Sequence, residues 1–545
     1  MLRLTEIRLP IDHDEKALEQ AVLDRLEIDA SHLLGMAVYR RNYDARKKSA
    51  IVFSYSVDVE TDCEEALLTK FTKHPHIRKA PDMTYHFVAQ APSETFKRPV
   101  IIGFGPCGMF AALILAQSGF KPIILERGKR VRERTQDTFG FWRKRELNPE
   151  SNVQFGEGGA GTFSDGKLHT QIRDPKHYGR KVLEEFVKAG APEEILYIGK
   201  PHIGTFKLVK MVEQMREEII ALGGECHFES RIDDLLVENG YIKGVILNNG
   251  KTIESDHVLI APGHSARDTF EMLHRRGVFM EAKPFSVGFR VEHPQSLIDD
   301  CRLGPNAGNP LLGAADYKLV HHCRNGRTVY SFCMCPGGTV VAAASEPGHL
   351  VTNGMSQYSR NERNANAAIV VDVNPDDFNG KDNPLAGIDF QQELERKAFI
   401  LGGENYNAPC QRIGDFLKNV PSKTLGTVIP SYMPGVTPCN LAEALPAFAI
   451  EALREAIPAF EKNIPGFSMA DAVLTGTETR TSSPVRIVRD RESFESISVK
   501  GLYPAGEGAG YAGGILSSAI DGIEAAQAIA LSISASAKKQ AAPDN

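Results

Sequence analysis

Three glycines stand at chemically telling spacing in the run Val100-Ile101-Ile102-Gly103-Phe104-Gly105-Pro106-Cys107-Gly108, and Glu126 closes a second apolar run, Ile123-Ile124-Leu125. Gly103 permits a tight turn, Gly105 lets the backbone approach a pyrophosphate, and Gly108 allows a helix to pack closely on a strand. A helix that starts in such a turn offers free N–H groups and the positive end of its dipole to phosphates. Glu126 lies about twenty residues beyond the glycines, where a carboxylate accepts hydrogen bonds from ribose hydroxyls. Pro106 and Arg127 are assigned to the same site. Strand, glycine turn, helix, second strand and acid are all in place, which points to a bound dinucleotide.

A second glycine-rich turn lies near the C-terminus, where Gly501-Leu502-Tyr503-Pro504-Ala505-Gly506-Glu507-Gly508-Ala509-Gly510-Tyr511-Ala512-Gly513-Gly514-Ile515 leads into a helical pattern over 516–529. A third strand pattern ends abruptly at Ala261-Pro262-Gly263. The loop 156–166 holds five glycines in eleven positions, including Gly159 and Gly161, so its backbone can lie flat against a ligand. Ser164, Asp165 and Lys167 are its hydrogen-bonding groups. Arg480 and Arg486, among hydroxyl residues 479–483, supply forks suited to carboxylates or phosphates. Cys333 and Cys335 sit at i, i+2, which on a regular strand places both thiols on one face. A redox pair, half of a metal site and buried structural cysteines all fit that pair. A zinc site would need two more ligands, and His321, His322 and Cys323 lack the usual spacing.

The elements that must position these groups read as three regions. Residues 1–90 alternate as strand (2–9), helix (14–26), two hairpin strands (33–43 and 49–60), helix (63–73) and last strand (84–88), the β-α-β-β-α-β order of a ferredoxin-like module. Residues 91–99 make a polar linker. The dinucleotide-binding region spans 98–280, with a helix at 206–222 and a small antiparallel meander over 225–254. From 281 to 465 short strands, glycines and prolines dominate, with 441–460 as the helical exception. Residues 466–535 return to the earlier style. The expected fold is α/β: a Rossmann-like domain interrupted by a mixed α+β cap, behind a ferredoxin-like module. The last ten or so residues read as disordered.

The order of these motifs resembles the FAD oxidoreductases of the glutathione-reductase-like superfamily. Four further stretches, 155–168, 333–338, 353–356 and 478–486, resemble one branch, a largely uncharacterised bacterial family of FAD-dependent dehydrogenases. The resemblance covers about residues 100 to 530. It implies FAD as cofactor, held by Gly103, Gly105, Pro106, Gly108, Glu126, Arg127, Gly159, Gly161, Ser164, Ala261, Gly263, Gly506, Glu507, Gly513, Gly514 and Ile515. It implies that Glu507, where Asp is usual, holds the ribityl chain, and that the helix after it points its N-terminus at the flavin ring. It further implies that loop 156–167 packs beside the isoalloxazine, with Lys167 near the developing charge of reduced flavin. Arg480 is expected on the flavin-facing side, and Cys333 and Cys335 as lining or redox groups.

Composition sets the outer limits. A chain of 545 residues with 42% hydrophobic and 24% charged residues is an ordinary globular protein of several domains. The net charge of −6 argues against general nucleic-acid affinity, although the basic run 40–48 at a hairpin tip is the kind of loop that contacts RNA. Nine cysteines with no C-x-x-C pair and no export signal suit free thiols in a cytoplasm. The uncharged stretch 99–120 is long enough to cross a bilayer, but its glycines and prolines fit a strand and buried helix better. No second Gly-x-Gly-x-x-G unit with its own strand, helix and trailing acid is present, so electrons are expected from a small substrate, from NAD(P)H visiting the site, or from a protein donor. A flavoprotein acting on RNA and a non-catalytic flavin-binding protein are the competing readings.

Overall fold

The computed structural model describes residues 1–93, 95–170 and 172–541, and its fold is mixed α/β. Val100–Ile102, Ile123–Leu125 and Val258–Ile260 are apolar at every position because they lie in a sheet covered on both faces. They pair in parallel, with Leu502–Pro504 at one edge and Glu225–His227 at the other. The helix Pro106–Gln117 follows the first strand and packs along Ile515–Ala541, which explains why nearly all of its residues are buried. The uncharged stretch at 99–120 is therefore a strand followed by a helix sealed between protein surfaces. Among the described residues no helix is long and apolar enough to cross a membrane.

Glu225–His227 belongs to this parallel sheet and not, as its position suggested, to the meander, which consists of Ile232–Glu238, Tyr241–Leu247 and Thr252–Glu254. The helix Thr205–Ala221 leads directly into it, a crossover that delivers a parallel edge strand.

The intervening region builds a seven-stranded sheet around Asn364–Val373 and Phe285–Pro294, two long strands buried almost throughout, with the helix Ala447–Phe460 packed against it. Val473–Glu478 pairs beside Phe285–Pro294 in the same sheet, so this unit extends past the expected boundary at 465. Where the chain enters and leaves it, Met280–Ala282 pairs antiparallel with Val485–Ile487. Ala386–Leu401 is a second long helix, which the sequence pattern did not mark. Its buried face includes Gln391 and Glu395, polar residues that interrupt the apolar stripe.

At the N-terminus, strands Leu33–Asp44, Val52–Thr61, Leu2–Pro10 and Ile77–Lys79 form a sheet in that order, with helices Ala17–Leu26 and Glu64–Lys70. The fourth strand is Ile77–Lys79, paired with Leu2–Pro10, and not the expected 84–88 segment. The aromatic alternation that suggested a strand there serves another contact: the Tyr85 ring packs edge-on to Tyr178 at 5.6 Å, and its hydroxyl accepts a hydrogen bond from Gln527 at 3.1 Å. The C-terminal helix continues to Ala541, through residues expected to be disordered, and 542–545 lie outside the described residues.

Candidate cofactor and substrate site

One cavity of about 680 Å³ lies between the ends of the parallel strands and the seven-stranded sheet. Gly103, Gly105, Pro106, Glu126, Arg127, Gly159, Gly161, Ser164, Lys167, Ala261, Gly263, Cys333, Arg480, Gly506, Glu507, Gly513, Gly514 and Ile515 all line it. Of the residues given a site role from sequence, Gly108, Cys335 and Arg486 lie outside that lining.

The glycines divide into two kinds. Gly103 has φ +92°, and a Cβ there would overlap the Ala261 carbonyl; a Cβ on Gly108 would overlap the Gly103 carbonyl. These two are needed for the turn and for helix-on-strand packing. Gly105 is different, since the nearest atom to an added Cβ is the Gly159 Cα at 3.7 Å, and Gly263, Gly513 and Gly514 have nothing within 4 Å. Their backbones face open space.

Glu126 is buried, and its carboxylate accepts N–H bonds from Phe104 at 2.8 Å, Gly128 at 2.9 Å and Gly156 at 2.9 Å. Three of roughly four acceptor positions on a carboxylate are thus occupied. The acid ties the first turn, its own strand end and the 156–167 loop into one cradle, a role that the motif alone did not disclose. Arg127 bonds Glu150 at 2.9 Å and Asp268 at 2.8 Å, and its guanidinium stacks 4.0 Å from the Phe155 ring centroid. In the late turn, Gly506 donates its N–H to Asp521 at 2.7 Å. Glu507 meets His264 Nδ1 at 3.2 Å, while His264 Nε2 is buried without a partner among the described residues. His264 also lines the cavity; its place directly after the Ala261-Pro262-Gly263 strand end was the signal that could have marked it.

Arg480 reaches the cavity wall, yet its fork is engaged from behind. It donates to both Glu395 oxygens at 3.0 Å and to Ser265 and Ser345 at 2.9 and 2.7 Å. Glu395 is fully buried and also takes Arg267 at 2.8 Å. Burial opposes its charge, but the two guanidiniums outweigh it and hold the carboxyl well below the usual carboxylate range. Sequence reasoning placed Arg480 on the flavin-facing side with a fork suited to carboxylates or phosphates; in the fold that fork is held by Glu395. Arg290, also missed, is fully buried and pairs with Glu478 at 2.7 and 2.9 Å while donating to the Cys333 carbonyl at 2.9 Å.

The two thiols do not share a face. The strand Thr328–Cys335 shifts register against Asn364–Val373 between Phe332 and Cys335, and Cys333 takes φ +45° at that bulge. Cys333 is consequently exposed at the cavity wall, whereas Cys335 is buried, free, and pushed up to about 11, chiefly by burial. We expect a maleimide to label Cys333 in the folded protein and to reach Cys335 only after denaturation; peptide mapping that finds equal labelling contradicts this geometry. The basic run at 40–48 is partly built into the fold, because Arg41 exchanges backbone hydrogen bonds with Tyr197 and Gly199 at 2.6 and 2.9 Å.

Residues 284–481 match the family described as FAD-dependent protein, C-terminal domain-like, and residues 1–60 match a domain of unknown function (DUF8436). The chain belongs to the same family as an uncharacterized protein of Clostridium beijerinckii, to which it is 48% identical over 535 residues, 97% of this chain and 98% of that one. Solved structures resemble it distantly. Glycine oxidase from Bacillus cereus is 12% identical, covering 79% of this chain and 97% of its own, with a TM-score of 0.31. L-proline dehydrogenase from P. horikoshii is 12% identical, covering 82% and 94%, with a TM-score of 0.31. Likenesses this loose carry nothing about chemistry.

FAD is the cofactor of this family, and the residues present fit it. Open glycine backbones at 105, 263, 513 and 514 and the N-terminal end of the Pro106–Gln117 helix border the cavity, and His264, whose Nε2 is buried without a partner among the described residues, lines it. Glu126→Ala should therefore act twice. It leaves three backbone N–H groups unsatisfied, and it weakens FAD binding by roughly 2–4 kcal/mol. Melting of the FAD-free protein and FAD dissociation should both change; an effect on neither contradicts the cradle.

Proposed function

We propose that this protein is an FAD-dependent oxidoreductase that moves hydride between flavin N5 and a small organic substrate bound beneath the seven-stranded sheet. The supporting observation is one continuous cavity, which runs from Gly105 and Glu126 to Cys333, Met334 and Asn353 on the inserted unit. Cofactor cradle and inserted sheet share one chamber, as a reaction shielded from water requires. Bound FAD would supply the redox chemistry. The chain's own residues bind it through open backbone, anchor the cradle through Glu126, and hold the wall rigid through the Arg480–Glu395 and Arg290–Glu478 pairs.

On this reading the parallel five-stranded sheet is a Rossmann-like FAD-binding domain, the inserted unit is its cap, and the N-terminal sheet, with its order and two helices, is a ferredoxin-like module. The electron partner is a small metabolite, NAD(P)H in passing, or a protein donor. The test is anaerobic: purified holoprotein with one FAD per chain is mixed with NADH, NADPH and a panel of carboxylated and unsaturated metabolites. Bleaching of the flavin by one of them is expected. Flavin that no donor reduces would replace this reading with a non-catalytic one, and co-purifying short RNA would favour action on nucleic acid.

A further inference from the structure

At its outer end the chamber is lined by Lys167, His169, Lys200, Asp316, Tyr317 and Lys318. The charges there do not cancel. Asp165, on the same wall, is taken in bidentate fashion by Arg360, at 2.5 and 3.1 Å. Asp316 is taken by Lys200, at 2.7 and 3.0 Å. Lys167 then has only a 3.7 Å contact to the already paired Asp165, with its ammonium donating to the Met334 carbonyl, and Lys318 is exposed with no ion pair among the described residues. Two of the lysines that line this mouth are thus left without an acid of their own among the described residues.

We infer that this mouth is a subsite for one oxyanion, a carboxylate or phosphate, carried by the substrate and held by Lys167 and Lys318; the inference rests on the oxidoreductase reading. Surplus positive charge at the rim of a cavity focuses anions more strongly than the same charge on an open surface. The surroundings agree with that sign. Burial, and then the neighbouring Lys167 and Lys200, push the His169 imidazole below its ordinary value, the direction a cationic environment imposes. Tyr317 is only 5% exposed, and its hydroxyl has no hydrogen-bond partner among the described residues. The positions are also braced. Lys167 bridges to His202 through the backbone, and Lys200 directly follows Gly199, which Arg41 of the N-terminal hairpin grips. That contact gives residues 1–60 a role in the site: they hold one wall of its mouth.

The test uses purified holoprotein, titrated with propionate, benzoate and inorganic phosphate, with chloride as the ionic-strength control. Flavin difference spectra and calorimetry are read together. Saturable heat with at least one oxyanion, and not with chloride, is expected, accompanied by a flavin spectral change. Lys318→Ala should weaken binding about tenfold, Lys318→Arg should largely restore it, and Lys167→Met should weaken it further. Tighter propionate assigns a carboxylate and tighter phosphate assigns a phosphate. Absence of saturable heat with every oxyanion overturns the subsite, as does equal binding in parent and lysine variants. Because calorimetry reads anion binding without flavin, a protein that carries no FAD counts against the oxidoreductase reading alone.

Discussion

Gly105→Val should yield a protein that folds like the parent and purifies without colour. The backbone at Gly105 has φ −78°, which any L-residue adopts, and an added Cβ finds its nearest atom, the Gly159 Cα, at 3.7 Å. Nothing in the protein therefore opposes a Cβ at this position. What valine would occupy is the open space at the start of the Pro106–Gln117 helix, where a pyrophosphate must approach the backbone. We expect FAD affinity to fall by at least about a hundredfold, roughly 2.7 kcal/mol, while the melting temperature of the FAD-free protein stays near that of the parent. Gly108→Val is the contrasting case, because its Cβ would overlap the Gly103 carbonyl, and it should fail to fold. A Gly105→Val protein that retains stoichiometric FAD would show that this turn does not hold the phosphates.

A large loss of stability is expected from Glu395→Ala. Glu395 is the shared partner of Arg267 and Arg480, both nearly fully buried, and its removal leaves two guanidiniums in a dry interior. Breaking one side of a buried ion pair costs about 3–5 kcal/mol. Denaturant unfolding of parent and variant measures it, and a difference under about 1 kcal/mol would show that water reaches these arginines. The sign of the pH dependence follows from the depressed carboxyl. Its contribution is complete above the unfolded value of about 4.3 and is lost as pH falls toward the folded one. The gap between parent and variant should thus be constant through neutral pH and close only in strong acid. Arg480 would also lose its anchor, so flavin spectral changes in this variant would report on the wall itself.

How much could be read beforehand depended on the range of the forces involved. The glycine turn at 103–108 and the apolar strands beside it were legible because their conformation is set by neighbours in sequence: a positive φ, a helix start, a strand buried on both faces. The glycine-rich loop and the late turn were legible for the same reason, and all of them reach one cavity. The fourth N-terminal strand was misplaced because the aromatic spacing of Tyr85 and Phe87 imitates a strand, while Tyr85 serves a packing contact with Tyr178 and a hydrogen bond from Gln527 of the C-terminal helix. The cysteine pair was misread because alternation assumes a regular strand, and the bulge at Cys333 is imposed by pairing with Asn364–Val373 and held by Arg290.

The sequence by itself determined the glycine turn at 103–108, the acid at the second strand and the existence of a long interruption, since each is written in local residue types. The tertiary structure alone decided which charges meet. Arg480 and Glu395, Arg290 and Glu478, and Arg360 and Asp165 are 85, 188 and 195 residues apart. No local preference links such partners. They pair because burial makes an unpaired charge too costly to keep, and burial is a property of the folded chain.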